Sequence, residues 1–238
     1  MKIAVTINGK EVNVKVNNTN LKTNNDELYT VKVIDDSDEV VQDIRVKQVV
    51  CGHNYTFVID KDNRLLAAGL NDKGQLGLGD TDNRYLFSYT GIDGVQQVVC
   101  GYKYTFIIDK NDRLLSTGLN EHGQLGLGDA DNRCLFSHTG YDNIKLIECG
   151  DDHIFIIDKD GNLLATGRNG YGQLGLGDTD NRKTFINTCI KNVKQVVCRD
   201  YCTFIINKDS NLLAVGNNSY GQLGLGGNID RNTFIKIN

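Results

Sequence analysis

Apolar and polar positions alternate in short bursts along this chain, and the bursts return at a fixed distance. VKQVVCG (46–52) and YTFVID (55–60) are two runs rich in Val, Ile, Tyr, Phe and Thr, separated by a brief polar break. Such residues suit the pleated, half-buried surface of a strand. RLLAAGL (64–70) follows a KDN turn, and YLFSYT (85–90) follows the glycine-rich excursion NDKGQLGLGDTDNR. The pattern predicts four short strands joined by turns.

The same order then repeats. GQLGLG begins at Gly74, Gly123, Gly172 and Gly221, each 49 residues after the last, and Cys51, Cys100, Cys149 and Cys198 keep the same step. Two markers in one phase define repeats 46–94, 95–143, 144–192 and 193–238. Four strands per period are what one blade of a β-propeller requires. The turn after the second strand holds Asn63, Asp112, Gly161 and Ser210, residues that tolerate positive φ or favour turns.

Residues 1–45 lack the GQLG signature but still read as β. KIAVTI and EVNVKV flank Asn8-Gly9, a strong hairpin signal, and LYTVKV (28–33) and EVVQDI (39–44) follow. We expect this segment to form an atypical first blade. The fold class is therefore all-β, a propeller of about five four-stranded antiparallel blades, closed as a monomer. The alternative is an open arc, whose unpaired edges recruit other chains into a homo-oligomer.

Composition changes the picture in a few places. There is no proline among 238 residues, so Gly, Asn and Asp must make every turn. An Asn-rich, Pro-free chain suggests an AT-rich coding sequence, as in some protists and large DNA viruses; a virion is one location this allows. The net charge of −4 and the lack of a basic tail argue against nucleic-acid binding by bulk charge. No run approaches a membrane span and the start is too polar for a signal peptide. Seven cysteines without a CxxC pair fit a reduced, intracellular protein, cytoplasmic or nuclear.

The order CG-x-x-[H/Y]-T-F-apolar-apolar-D, then L-L-x-x-G-x-N, then GQLGLGD resembles the repeat of the regulator of chromosome condensation family. The resemblance covers about Val46 to Asn238. It implies a propeller with seven blades in the best-known members, and family roles in nucleotide exchange on a small GTPase, ubiquitin-ligase targeting, signalling and inhibition. The chain departs from the family pattern where Ala68, Thr117, Thr166 and Val215 stand in a slot that often holds Trp. The family's histidine after Cys-Gly matches only His153; Tyr55, Tyr104 and Cys202 fill the other slots. Arg199 replaces a glycine and Gly227 replaces the aspartate of Asp80, Asp129 and Asp178, so the last repeat diverges most.

The candidate chemistry is sparse. GQLGLG lacks the Lys-Ser/Thr of a phosphate loop, and its leucines read as plugs between blades. DKD turns at Asp60 and Asp158 have too few oxygens in too tight a turn for calcium. The in-phase cysteines read as small core residues too far apart to form one metal site. Arg84, Arg133, Arg182 and Arg231 recur in phase and should bond carbonyls or the nearby aspartates. His153 lies beside Asp151 and Asp152, which would tune its pKa, yet it reads as a framework residue. No catalytic, cofactor or metal constellation emerges.

Positions that differ between repeats mark a candidate recognition rim. They are His53, Asn54, Tyr102, Lys103, Asp151, Asp152, Asp200 and Tyr201 after Cys-Gly, with Lys73, His122, Tyr171 and Tyr220 before GQLG. Loops on a rigid scaffold commonly carry function, and tyrosine is enriched in binding hot spots. The expected function is a non-enzymatic protein-binding or scaffold module. Exchange on a small GTPase and self-assembly into a particle or filament are the alternatives. The even 49-residue step leaves no room for a protruding wedge of the kind associated with the exchange activity.

Overall fold

The computed structural model describes residues 2–7, 10–12, 21–22, 29–34 and 40–237, with side chains from Gln42 onward. Asn8-Gly9 and most of EVNVKV lie outside the described residues. The N-terminal strands are β1 (Lys2–Ile7), β2 (Lys10–Val12), β3 (Leu21–Lys22), β4 (Tyr29–Ile34) and β5 (Val40–Cys51). The first blade continues from β5 with β6 (Tyr55–Asp60), β7 (Arg64–Gly69) and β8 (Arg84–Asp93). The second contains β9 (Gln97–Cys100), β10 (Tyr104–Ile108), β11 (Arg113–Gly118) and β12 (Arg133–Asp142). The third contains β13 (Ile144–Cys149), β14 (His153–Asp158), β15 (Leu163–Gly167) and β16 (Arg182–Asn187). The fourth contains β17 (Val193–Arg199), β18 (Cys202–Asn207), β19 (Leu212–Gly216) and β20 (Arg231–Lys236).

The described residues form an all-β propeller arc of four-stranded antiparallel blades, as the repeat predicts. One detail differs at the N-terminus. EVVQDI and VKQVVCG are a single twelve-residue strand, β5, and the N-terminal strands join the first blade in one eight-stranded sheet, order β2-β1-β4-β5-β6-β7-β8, with β3 pairing β5. No turn residue separates the two apolar runs, so the chain passes straight from one pairing to the next. Val40 to Val46 pair with β4, and Val46 to Cys51 pair with β6. The N-terminal strands thus extend the sheet of the first blade, beside three further four-stranded sheets.

The second strand of each inner blade is apolar without alternation because neighbouring blades cover both of its faces. All five residues of β10 are buried. Phe57, Phe106 and Phe155 occupy one repeat slot and are fully buried; each contributes roughly 1.5–3 kcal/mol. The hairpin turns use the positive φ expected of their slot, 61° at Asn63, Asp112 and Ser210 and 82° at Gly161. At the first of these Asp60 accepts the amides of Asp62 and Arg64 and pairs with the Arg64 guanidinium, which closes the turn.

Two ties join each blade to the next. The outer tie is the glycine excursion. Gly79, Gly128 and Gly177 donate their amides to the carbonyls of Cys134, Lys183 and Asn232 on the outer strand of the following blade, each at 2.8 Å. The glycines permit the approach: a Cβ at Gly77 would lie 2.4 Å from the Phe136 ring, and one at Gly172 would lie 2.4 Å from the Asn232 Cα. Leu76, Leu125 and Leu174 plug the gap, fully buried. The excursion is braced from within by Asn71, whose side chain accepts the Leu76 amide and donates to the Asp80 carbonyl. Arg84, Arg133 and Arg182 pair with Asp80, Asp129 and Asp178 in the same excursion.

The inner tie is a ring. The Tyr55 hydroxyl donates to the Tyr104 carbonyl at 2.6 Å, and the Tyr104 hydroxyl donates to the Gly150 carbonyl at 2.8 Å. His153 occupies the same slot and bonds the Thr203 hydroxyl through Nε2 at 3.0 Å. Its framework role stands, but burial, not the neighbouring aspartates, governs its titration. Burial holds its pKa down at about 3.

Candidate functional site

The turns after the repeating cysteine open onto one axial cleft in all four blades, because the innermost strands β5, β9, β13 and β17 run side by side around it. The cleft has a volume of about 310 Å³. His53, Tyr102, Asp151 and Asp200, the first variable position of each repeat, all line it. The His53 and Tyr102 rings lie 4.6 Å apart. Burial, with Asp200 and Asp152 nearby, pushes the Asp151 carboxyl up. Two residues outside the expected rim complete the mouth, Glu148 and Arg199. Burial raises the Glu148 carboxyl as well.

A comparison between repeats carries the signal for both. Glu148 occupies a slot that holds Val50, Val99 and Val197 elsewhere, and Arg199 occupies a glycine slot. Both lie in strands, Glu148 in β13 and Arg199 at the end of β17, where variation between loops does not reveal them.

Cys51, Cys100, Cys149 and Cys198 all line the same cleft. They stand at the inner ends of adjacent strands, where a propeller brings its blades closest. Burial pushes the Cys100 thiol up to about 12 and raises Cys149 and Cys198 well above the thiol range. They are therefore protonated and weakly nucleophilic at neutral pH. Among the described residues no group of three His, Cys, Asp or Glu side chains is placed to hold a metal ion.

The remaining rim residues form an outer ring that is tied together across blades. The excursion loop of one blade meets the Cys-Gly loop of the next. Lys103 pairs with Asp72 at 2.6 Å and Lys73 with Glu121 at 2.9 Å. The Lys73 ammonium holds the Glu121 carboxyl below its usual range. Asp152 pairs with Arg168, whose guanidinium lies over the Tyr201 ring, and Tyr201 packs 5.1 Å from Tyr171. His122 approaches Asn181 at 3.4 Å. Asn54 holds positive φ and bonds His53, so its side chain is committed to the turn. Tyr220 stands apart from these contacts, 95% exposed.

The mouth is thus an acidic recess of Glu148, Asp151 and Asp200 with one arginine, flanked on the first two blades by an imidazole and a phenol. Its charge favours a cationic group.

The model of the regulator of chromosome condensation (RCC1) repeat matches residues 62–108, 111–157 and 160–206. A second model of that repeat matches 46–75, 95–124 and 144–173. Among curated proteins, the X-linked retinitis pigmentosa GTPase regulator of Canis lupus familiaris is 49% identical over 43 residues, and that of Mus musculus is 51% identical over 43. Each match covers 18% of this chain and 4% of the relative. Among solved structures, yeast RCC1 (Prp20) bound to Kap60 is similar at a TM-score of 0.74 and 18% identity, over 89% of this chain and 57% of that one. Human WBSCR16 is similar at 0.70 and 21% identity, over 84% and 57%. The chain therefore spans a small part of the curated relatives and a little over half of these solved chains. With repeat matches over more than half its length and the blades to go with them, this chain belongs to the regulator of chromosome condensation repeat family.

Proposed function

We propose that this chain is a non-enzymatic protein-binding module that receives a basic element of a partner protein at its axial mouth. One observation carries the reading: the same loop slot in four blades, His53, Tyr102, Asp151 and Asp200, converges on a single cleft. A repeated framework whose variable loop positions converge on one cleft is the arrangement expected of a recognition surface. The aromatic pair supplies apolar contact area, and the carboxylates supply charge selection. Seven free cysteines suit a reducing, intracellular compartment.

The test is capture from a lysate of the natural source, comparing the chain with a Tyr102→Ala, Asp151→Ala, Asp200→Ala variant. Selective loss of one partner by the folded variant supports the mouth. Equal capture by both removes it.

A second reading is action on a small GTPase. Its support is the match to proteins named GTPase regulators, and to yeast Prp20p, whose structure was described with its binding to Gsp1p and histones. The test is nucleotide release from a small GTPase with catalytic amounts of the chain. Acceleration that the Asp151→Ala, Asp200→Ala variant lacks would favour this reading.

A further inference from the structure

Three of the four glycine excursions have a seat, the outer strand of the following blade. The fourth, Gly221–Gly226, has none among the described residues. An added Cβ at Gly224 or Gly226 meets nothing within 4 Å, and one at Gly221 meets only the Gly227 carbonyl at 3.6 Å. The blade face beside it is uncovered too. Leu212 is exposed and Phe204 and Ile206 are half-buried, whereas Leu163, Phe155 and Ile157 are buried in the same slots one blade earlier.

The complement of that excursion stands at the other end of the arc. On β8, Arg84, Tyr85 and Leu86 occupy the slots where Arg133, Cys134 and Leu135 receive the first excursion. Tyr85 is 76% exposed, while Cys134 is half-buried under its excursion. Gln42 of β5 brackets the next residue, donating to the Phe87 carbonyl at 2.8 Å and accepting its amide at 2.9 Å. The open part of the seat runs from Arg84 to Leu86.

We propose that Gly221–Gly226 of one copy seats on β8 of a second copy, joining chains head to tail. Gly226 donates its amide to the Tyr85 carbonyl, as Gly79, Gly128 and Gly177 do to Cys134, Lys183 and Asn232. Leu225 lies beside Leu86, as Leu78 bridges Leu135. The occupant follows from repetition: GQLGLG is identical in all four excursions, and Arg84 and Phe87 match the Arg and Phe of the three occupied strands. The contact uses two different patches, so it propagates in one direction and either closes a ring or extends a file.

The test is sedimentation velocity of the 238-residue chain over a range of concentrations, with two variants checked for folding by circular dichroism. The wild-type mass should rise above 26.4 kDa with concentration. Gly221→Asn should weaken association at least tenfold. Asn tolerates the φ of +73° there, but a Cβ at the matching Gly123 or Gly172 would lie 2.4–2.5 Å from a backbone Cα of the seat. Gly161→Asn, in the hairpin turn of the third blade where φ is +82° and an added Cβ meets nothing within 4 Å, should associate as wild type. Amide exchange at Arg84–Leu86 should slow as association proceeds. A mass fixed at 26.4 kDa, equal behaviour of the two variants, or unchanged exchange at β8 would overturn the proposal.

Discussion

Arg199 faces Cys202 across the Cys198-Arg199 turn, in slots where the other three blades pair a glycine with a ring. The glycines are forced. A Cβ at Gly52, Gly101 or Gly150 would lie 2.0–2.2 Å from the ring of Tyr55, Tyr104 or His153. Cys202 brings no ring, so residue 199 is free to carry a side chain, and arginine there reaches the axial mouth. The two departures from the repeat are one structural change. Cys202→Tyr alone should therefore cost about 1–3 kcal/mol by overpacking. Combined with Arg199→Gly it should recover at least about 1 kcal/mol of that loss, a coupling readable in urea denaturation. Additive effects would contradict the pairing.

His153 gives a pH dependence whose sign follows from its burial. The unfolded imidazole titrates near its ordinary 6.5, while the folded one is held at about 3. Below pH 6.5 the unfolded chain takes up a proton that the folded chain refuses, so stability falls as pH drops from about 6.5 toward about 3. His153→Tyr places in the third blade the residue used in the first two, and it should flatten that slope. The comparison is the urea midpoint at pH 7 and pH 4.5 for both chains, with the wild type losing more.

The ring tie makes a separate prediction. Tyr104→Phe keeps the buried ring and removes the hydroxyl that donates to the Gly150 carbonyl. The orphaned buried acceptor should cost about 1–3 kcal/mol in chemical denaturation. A loss within experimental error would mean that packing alone joins the blades.

Gly172 and Gly221 hold the same loop position with φ of +75° and +73°. Gly172→Asn and Gly221→Asn thus carry equal backbone strain, and their difference isolates the seat. The Gly172 variant should be less stable than the Gly221 variant by at least about 2 kcal/mol, from its clash with Asn232. Thermal melts of the two at a dilution where the chain is monomeric give the comparison.

The four blades were legible because each 49-residue period repeats its strands and turns without insertion. The excursion's structural arginines were legible for the same reason, since Asp80, Asp129 and Asp178 share their phase. The N-terminus was not, because EVVQDI and VKQVVCG look alike whether the chain turns between them or runs on as β5. The shared cleft of the cysteines was also hidden: one period shows that Cys51 ends a strand, and only the assembled blades bring those strand ends together. Glu148 and Arg199 were visible as exceptions to the repeat, but their meaning depended on the side of the strand from which they project.

The most direct test of the axial mouth is the affinity of the captured partner for single variants. Asp151→Asn and Asp200→Asn should each weaken it at least tenfold. Lys159→Ala, at the hairpin turn on the opposite end of the third blade, should leave it within about twofold. Losses confined to the mouth are the predicted result. Equal affinity for all three variants, or a loss only with Lys159→Ala, would contradict the account and move the binding surface elsewhere on the propeller.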